Sequence, residues 1–195
     1  MSPRNQEQLK EIRDRSRESI KSAALSLFAC NGYHATSVEE IAMGANVSKG
    51  LVYNYFSGKE QILEAVIFET MEDVASEYAF IFLDLPPEEK LHRIFDTYFD
   101  LIVKDPGFWK LYWSILFNPG TPESIGIRLQ EVSKPIFNQL ETIFRELGYE
   151  NPRAECIVLH AILDGLSVHC KLDNEVSELQ QVKQVLMTHY AQAKY

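Results

Sequence analysis

The stretch from Thr36 to Lys59, TSVEEIAMGANVSKGLVYNYFSGK, leaves this chain few ways to fold. Thr36 and Ser37 are good helix N-caps, and Glu39 and Glu40 stand three residues beyond them, so either pair can close a capping box. Val38, Ile41, Ala42 and Ala45 follow at three- and four-residue spacing. They give a short helix an apolar stripe, with alanines small enough for another helix to come close. Asn46 accepts a left-handed backbone more readily than most residues, Val47 supplies an anchor, and Ser48 is the next N-cap. A second helix then runs from Ser48 to about Phe56, held down by Val47, Val52 and Phe56. The pattern is helix, tight turn, helix.

The outward side of the second helix carries Lys49, Gly50, Leu51, Tyr53, Asn54 and Tyr55, and no Asp or Glu occurs between Ile41 and Lys59. A duplex repels carboxylates and is held largely by cations and hydrogen-bond donors on its phosphates, while a helix in the major groove reads base edges. Lys49, Lys59, Tyr53, Tyr55 and the hydroxyls of Thr36, Ser37 and Ser48 suit the phosphate role. Asn54 can hydrogen-bond a phosphate or an adenine edge, and Leu51 can pack on a thymine methyl. These residues, with Gly50, form the expected DNA-facing set.

Together with AALSLFACNGY before it and EQILEAV after it, the run from Thr36 to Lys59 resembles the DNA-binding domain of the TetR family of bacterial transcriptional regulators. The resemblance covers roughly the first third of the chain. It implies an all-α homodimer whose variable C-terminal domain binds a small molecule and lowers DNA affinity when occupied. Asn46 stands where the family's turn usually has glycine, and Asn54 where its recognition helix often has histidine. The first substitution keeps the backbone option; the second bears on which operator is read.

A net charge of -9 looks wrong for a DNA binder until it is divided along the chain. Residues 1 to 60 hold 8 Lys/Arg against 7 Asp/Glu, and residues 61 to 195 hold 11 against 21, so the acidity is regional. The local field at the docking surface governs DNA contact, and an acidic remainder discourages nonspecific binding elsewhere. No apolar run approaches the roughly 20 residues that span a bilayer, and MSPRNQEQLKEIRDRS lacks the apolar core of a signal peptide, so a cytoplasmic protein without membrane contact is expected. Cys30, Cys156 and Cys170 have no metal-ligand spacing and read as free thiols; no cofactor is expected.

Helical periodicity continues almost throughout and predicts about nine helices. The first runs from about Arg15 to Asn31, and the DNA-binding domain is placed at 12–60. A capping box of Ser57 and Glu60 opens a fourth helix, about 58–82, that links it to an effector-binding and dimerisation domain at 61–195. Pro86 and Pro87 precede a fifth helix, Asp105 and Pro106 start a sixth, and Thr121 and Pro122 a seventh, which Pro135 interrupts. Asn151 and Pro152 start the eighth, and the ninth spans about Glu175 to Tyr190.

Eight of the 22 aromatic residues lie between Phe95 and Phe117. By spacing alone they form an ordinary core; the family resemblance makes Phe95, Tyr98, Phe99, Trp109, Tyr112, Trp113 and Phe117 candidate walls for a hydrophobic or aromatic effector, with His160 and Asp164 as polar partners. Ala161, Gly165, Val168 and Leu172, with Leu179, Val182 and Leu186, are the expected dimer face. His160, Asp164, Ser167 and Lys171 form a polar line that can face either the pocket or the interface. Casting them as an enzyme's base, orienting carboxylate and nucleophile is disfavoured, because residues stacked on one helix rarely converge on a reacting atom, and no nucleophile elbow or metal pattern accompanies them. The expectation is therefore an effector-released repressor on a near-palindromic operator. A DNA-binding architectural protein without effector is the alternative.

Overall fold

In the computed structural model, residues 3–118, 123–173 and 176–192 are described, with side chains placed for 6–118, 123–168 and 178–190. The described residues form helices α1 Pro3–Asn31, α2 Val38–Gly44, α3 Lys49–Tyr55, α4 Lys59–Glu77, α5 Pro87–Lys104, α6 Pro106–Leu116, α7 Glu123–Glu146, α8 Pro152–Asp173 and α9 Val176–Gln192. A 3-10 turn, Ala79–Phe82, follows α4, and no strand occurs among the described residues. The fold is all-α, and no helix among these residues is long and apolar enough to cross a membrane. Thr121 and Pro122, expected to open α7, lie outside the described residues, as does the side chain of Cys170.

Two helix boundaries differ from the sequence reading. α1 begins at Pro3 instead of near Arg15. From residue 6 its added turns are exposed on all sides and rely on good helix formers and on pairs such as Glu11–Arg15 at 2.6 Å, so they carry no buried apolar stripe for periodicity to find. α4 ends at Glu77, and the chain tightens into the 3-10 turn where it was expected to stay α-helical. The cap before α4 also changes partner: the Ser57 N–H donates to Gln61 Oε1 at 2.5 Å, one residue beyond the expected Glu60.

The chain divides into two compact units, one of residues 1–70 with 110–121, the other of 71–109 with 122–195. In the first, Ile20, Ala24 and Phe28 of α1, Ile41 and Ala42 of α2, Val52 of α3 and Ile62, Leu63, Val66 and Ile67 of α4 are buried. Each Val, Leu, Ile or Phe among them contributes about 1.5–3 kcal/mol by leaving water, and the alanines less. A Cβ on Gly44 would lie 3.3 Å from the Ala23 Cβ, which shows how closely α2 approaches α1. In the second unit, α5, α7, α8 and α9 share a core that includes Phe95, Phe99, Ile143, Phe144, Cys156, Leu159 and Tyr190. Burial pushes the Cys156 thiol up to about 11. Pro135 is accommodated inside α7, on its exposed side.

α4 is tied to α1 by charge. Glu69 accepts from both Arg17 and Lys21, the Lys21 contact measuring 2.5 Å, and the Arg17 guanidinium lies 5.4 Å from the centre of the Phe56 ring. These cations, Arg17 foremost, hold the Glu69 carboxyl down to about 2. A carboxylate whose pKa is depressed on folding contributes stability above its unfolded pKa and loses it as pH falls toward the folded value. Undiscounted, the shift corresponds to about 3 kcal/mol; with the group about a third exposed, about 1–2 kcal/mol remains. Glu69→Gln is therefore expected to lower stability by about 1–2 kcal/mol at pH 7 in urea unfolding, with the gap to wild type shrinking below about pH 4.5. A gap that stays constant down to pH 3 would remove the clamp from the account.

Candidate nucleic-acid interface

Local chemistry builds the reader. Ser37 caps α2 in a reciprocal box: its hydroxyl accepts from the Glu40 N–H at 3.2 Å, and Glu40 Oε2 accepts from the Ser37 N–H at 2.7 Å. That backbone donor, followed by the Ser37 hydroxyl, keeps the Glu40 carboxyl below its ordinary pKa. α2 ends as the Asn46 N–H donates to the Met43 carbonyl and the Val47 N–H to the Ala42 carbonyl, both at 3.0 Å, with Asn46 at φ +55°. This is a Schellman turn closed by asparagine. Ser48 caps α3, its Oγ accepting from the Leu51 N–H at 3.1 Å.

α3 is anchored by fully buried Val52 and by Phe56 at its C-cap. Its other side leaves Lys49, Gly50, Tyr53 and Asn54 exposed, with Leu51 and Tyr55 half-buried at the margins. A Cβ added at Gly50 would meet only the Ser48 Oγ, at 4.0 Å, so the surface at Gly50 is open. Ser37 and Ser48 are exposed as well.

Two expected phosphate ligands point elsewhere. Thr36 is 1 % exposed and its hydroxyl donates to the Gly32 carbonyl at 2.9 Å, so it braces the connection between α1 and α2. The Lys59 ammonium is likewise turned inward, donating to the carbonyls of Tyr33, His34 and Thr36. Spacing alone could not show this, because the carbonyls lie more than twenty residues upstream. The sequence reading also missed Glu39. The acid-free span starts two residues after it, yet its carboxylate lies 3.3 Å from Lys49 Nζ across the motif. Its place in the first turn of α2, beside the start of α3, is the signal that reveals it.

The other expected sites separate. Phe95, Tyr98 and Phe99 are buried in the second unit, and the hydroxyl of Tyr98 donates to the Leu163 carbonyl of α8. Trp109 packs against that core and its Nε1 donates to the Leu101 carbonyl at 3.2 Å. Tyr112, Trp113 and Phe117 belong to the first unit; Trp113 is buried and stacks on Phe117, which is 73 % exposed. His160 and Asp164 lie on the outer side of α8, their Nδ1 and Oδ2 atoms 2.9 Å apart. The carboxylate raises the His160 pKa through this hydrogen bond, and burial opposes it. Ser167 points inward and donates to the Asp164 carbonyl, so the polar line diverges; the Lys171 side chain lies outside the described residues.

Ala161, Gly165 and Val168 are exposed along α8, beside exposed Ile157 and Val158. The α9 part of the expected interface is corrected: Leu186 is buried in its own chain's core, with Leu179 and Val182 packed against it. α9 spends that stripe on α5 and its neighbours, while Val185 is 66 % exposed. The Leu172 side chain is not among those described.

A capped two-helix reader with one anchored and one open face, within an all-helical chain, defines a helix-turn-helix DNA-binding transcriptional regulator. The family model described as "Bacterial regulatory proteins, tetR family" matches residues 20–66. Relatives extend the match: the transcriptional activator FasR of Mycolicibacterium smegmatis is 26% identical over 150 residues, 75% of this chain and 67% of that protein. The fatty acid metabolism regulator protein of Bacillus subtilis is 34% identical over 93 residues, 44% of this chain and 45% of its own length. FadR from Bacillus subtilis, solved in complex with stearoyl-CoA, is similar in fold with a TM-score of 0.72 at 22% identity, covering 91% of this chain and 99% of that one. Residues 20–66 thus match the DNA-binding domain of the TetR family, and the chain as a whole is similar to transcriptional regulators.

Proposed function

We propose that the chain works as a homodimeric repressor that a lipophilic effector releases from a near-palindromic operator. The observation that carries the DNA part is the open face of α3, where Lys49, Gly50, Tyr53 and Asn54 stand exposed opposite the buried anchor Val52. Ser37, Ser48, Lys49 and the tyrosines serve phosphates, and Asn54 and Leu51 serve base edges. Two such helices enter successive major grooves about 34–36 Å apart.

The second unit is the effector domain in this reading. Its aromatic and aliphatic core, with Phe95, Tyr98, Phe99 and Trp109 from the expected set, suits an apolar chain. Two relatives bear on the choice: one is named for fatty acid metabolism, and one fold neighbour holds stearoyl-CoA. A long-chain acyl thioester is therefore the first effector to try. It must bind the DNA-incompetent conformer more tightly to shift the balance. The second subunit docks on the exposed apolar strip of α8 with Val185 of α9.

The test uses a 30-base-pair duplex selected by the wild-type chain from a randomised pool. Lys49→Gln is expected to weaken binding about tenfold at moderate salt and to flatten the slope of log K against log[salt] by about 1.8, one phosphate contact on each of the two subunits. An unaltered slope would take Lys49 off the docking face. Stearoyl-CoA is expected to release the duplex from wild type; retention at saturating thioester would exclude that effector class.

A further inference from the structure

Lys59 opens α4, and its ammonium lies among three backbone carbonyls: Tyr33 at 2.8 Å, His34 at 3.2 Å and Thr36 at 2.7 Å. It also sits 4.6 Å from the centre of the Tyr33 ring. A lysine ammonium has three N–H donors and no acceptor, so this geometry occupies all of them. The carbonyls belong to the connection between α1 and α2, which has no regular structure to satisfy them and begins at Gly32 with φ +84°. Thr36 closes the same connection from inside through its bond to the Gly32 carbonyl. Because the peptide unit is planar, fixing the Thr36 carbonyl fixes the plane that delivers Ser37, the exposed N-cap of α2.

We propose that Lys59 is a positioning residue of the DNA reader: it sets Ser37 and the first turn of α2 for the phosphate backbone, and does not itself bind phosphate. To reach a phosphate, the ammonium would have to abandon carbonyls that have no other donor in the connection's described contacts. The inference rests on the reading of α2 and α3 as the docking face. Arginine separates the two roles. Its planar guanidinium keeps the charge that a phosphate needs but cannot converge three donors on carbonyls clustered around a point.

The experiment compares Lys59→Gln, Lys59→Arg and Lys49→Gln with wild type on the selected duplex, at a temperature where circular dichroism shows each variant folded. Both Lys59 variants are expected to bind on the order of tenfold more weakly with the wild-type salt slope, whereas Lys49→Gln loses about 1.8 of slope, two contacts per dimer. Wild-type affinity in Lys59→Arg, or a slope lowered by about 1.8 in Lys59→Gln, would make Lys59 a phosphate ligand and overturn the assignment. Wild-type affinity in both folded variants would reduce it to a filler and overturn it equally. Should the variants not fold, 15N-lysine spectra of the wild-type chain decide: the Lys59 ammonium signal is expected to be protected in the free protein and unshifted by duplex, and a shift on binding would refute the proposal. A wild-type chain that selects no duplex takes the docking face and this assignment down together, while a lost Lys49 slope with an unaltered Lys59→Arg removes only the latter.

Discussion

Ala161→Glu is expected to turn the proposed dimer into a monomer at micromolar concentration and to weaken binding to the selected duplex at least about a hundredfold, through lost bivalency. Ala161 lies on α8 among exposed Ile157, Val158, Gly165 and Val168, and a Cβ added at Gly165 would meet nothing within 4 Å. Small residues on an exposed helix let a second helix approach closely, and around a twofold axis the same strip meets its own copy. A glutamate there places two carboxylates in one desolvated seam, where like charges are strongly disfavoured. The single subunit keeps its own core, because Leu159 and Leu163 occupy the opposite, buried side of α8. Sedimentation velocity together with duplex titration makes the check. A variant that stays dimeric, or a wild type that is monomeric at tens of micromolar, moves the interface off α8.

Asn46→Val should cost about 2 kcal/mol and abolish duplex binding, whereas Asn46→Gly should preserve both stability and binding. The left-handed backbone costs an ordinary L-residue about 1–2 kcal/mol, and β-branching adds to that. Glycine bears no such penalty. Asn46 is the only described residue other than glycine at positive φ, and its two flanking hydrogen bonds set the angle between α2 and α3. If valine forces the turn out of this region, Ser48 no longer delivers α3 to the groove at the right pitch. Urea unfolding and duplex titration of both variants test the claim; equal stability for valine and glycine would show that the turn tolerates a different path.

The reader was legible because its signals are local. Ser37 with Glu40, Ser48 with Leu51, and Asn46 at the turn each act within five residues, and the structure uses all three as the spacing implies. What escaped depends on distance along the chain. Lys59 finds its carbonyls more than twenty residues away, Arg17 finds Glu69 across 52 residues, and Glu39 reaches Lys49 across ten. Periodicity tells which residues share a helix face but not what covers it. Hence Leu186, grouped with an outer surface by its spacing, lies in the core of its own chain, and the outer side of α8 carries His160 and Asp164 beside apolar neighbours. The aromatic run from Phe95 to Phe117 likewise reads as one cluster in sequence and falls into two units in space.

The two attachments of α4, Lys59 at its first residue and Glu69 ten positions on, bear on how such proteins can trade parts. A recombination joint at residue 60 would give the recipient the sensing helices of one parent and a reader stripped of its Glu69 anchor, with Arg17 and Lys21 left facing a foreign helix. A joint after Thr70 would carry both attachments, but the segment 110–121 groups with the same unit and comes from the other side of α5 in the chain. The unit is thus discontinuous in sequence, and a single crossover cannot transplant it whole.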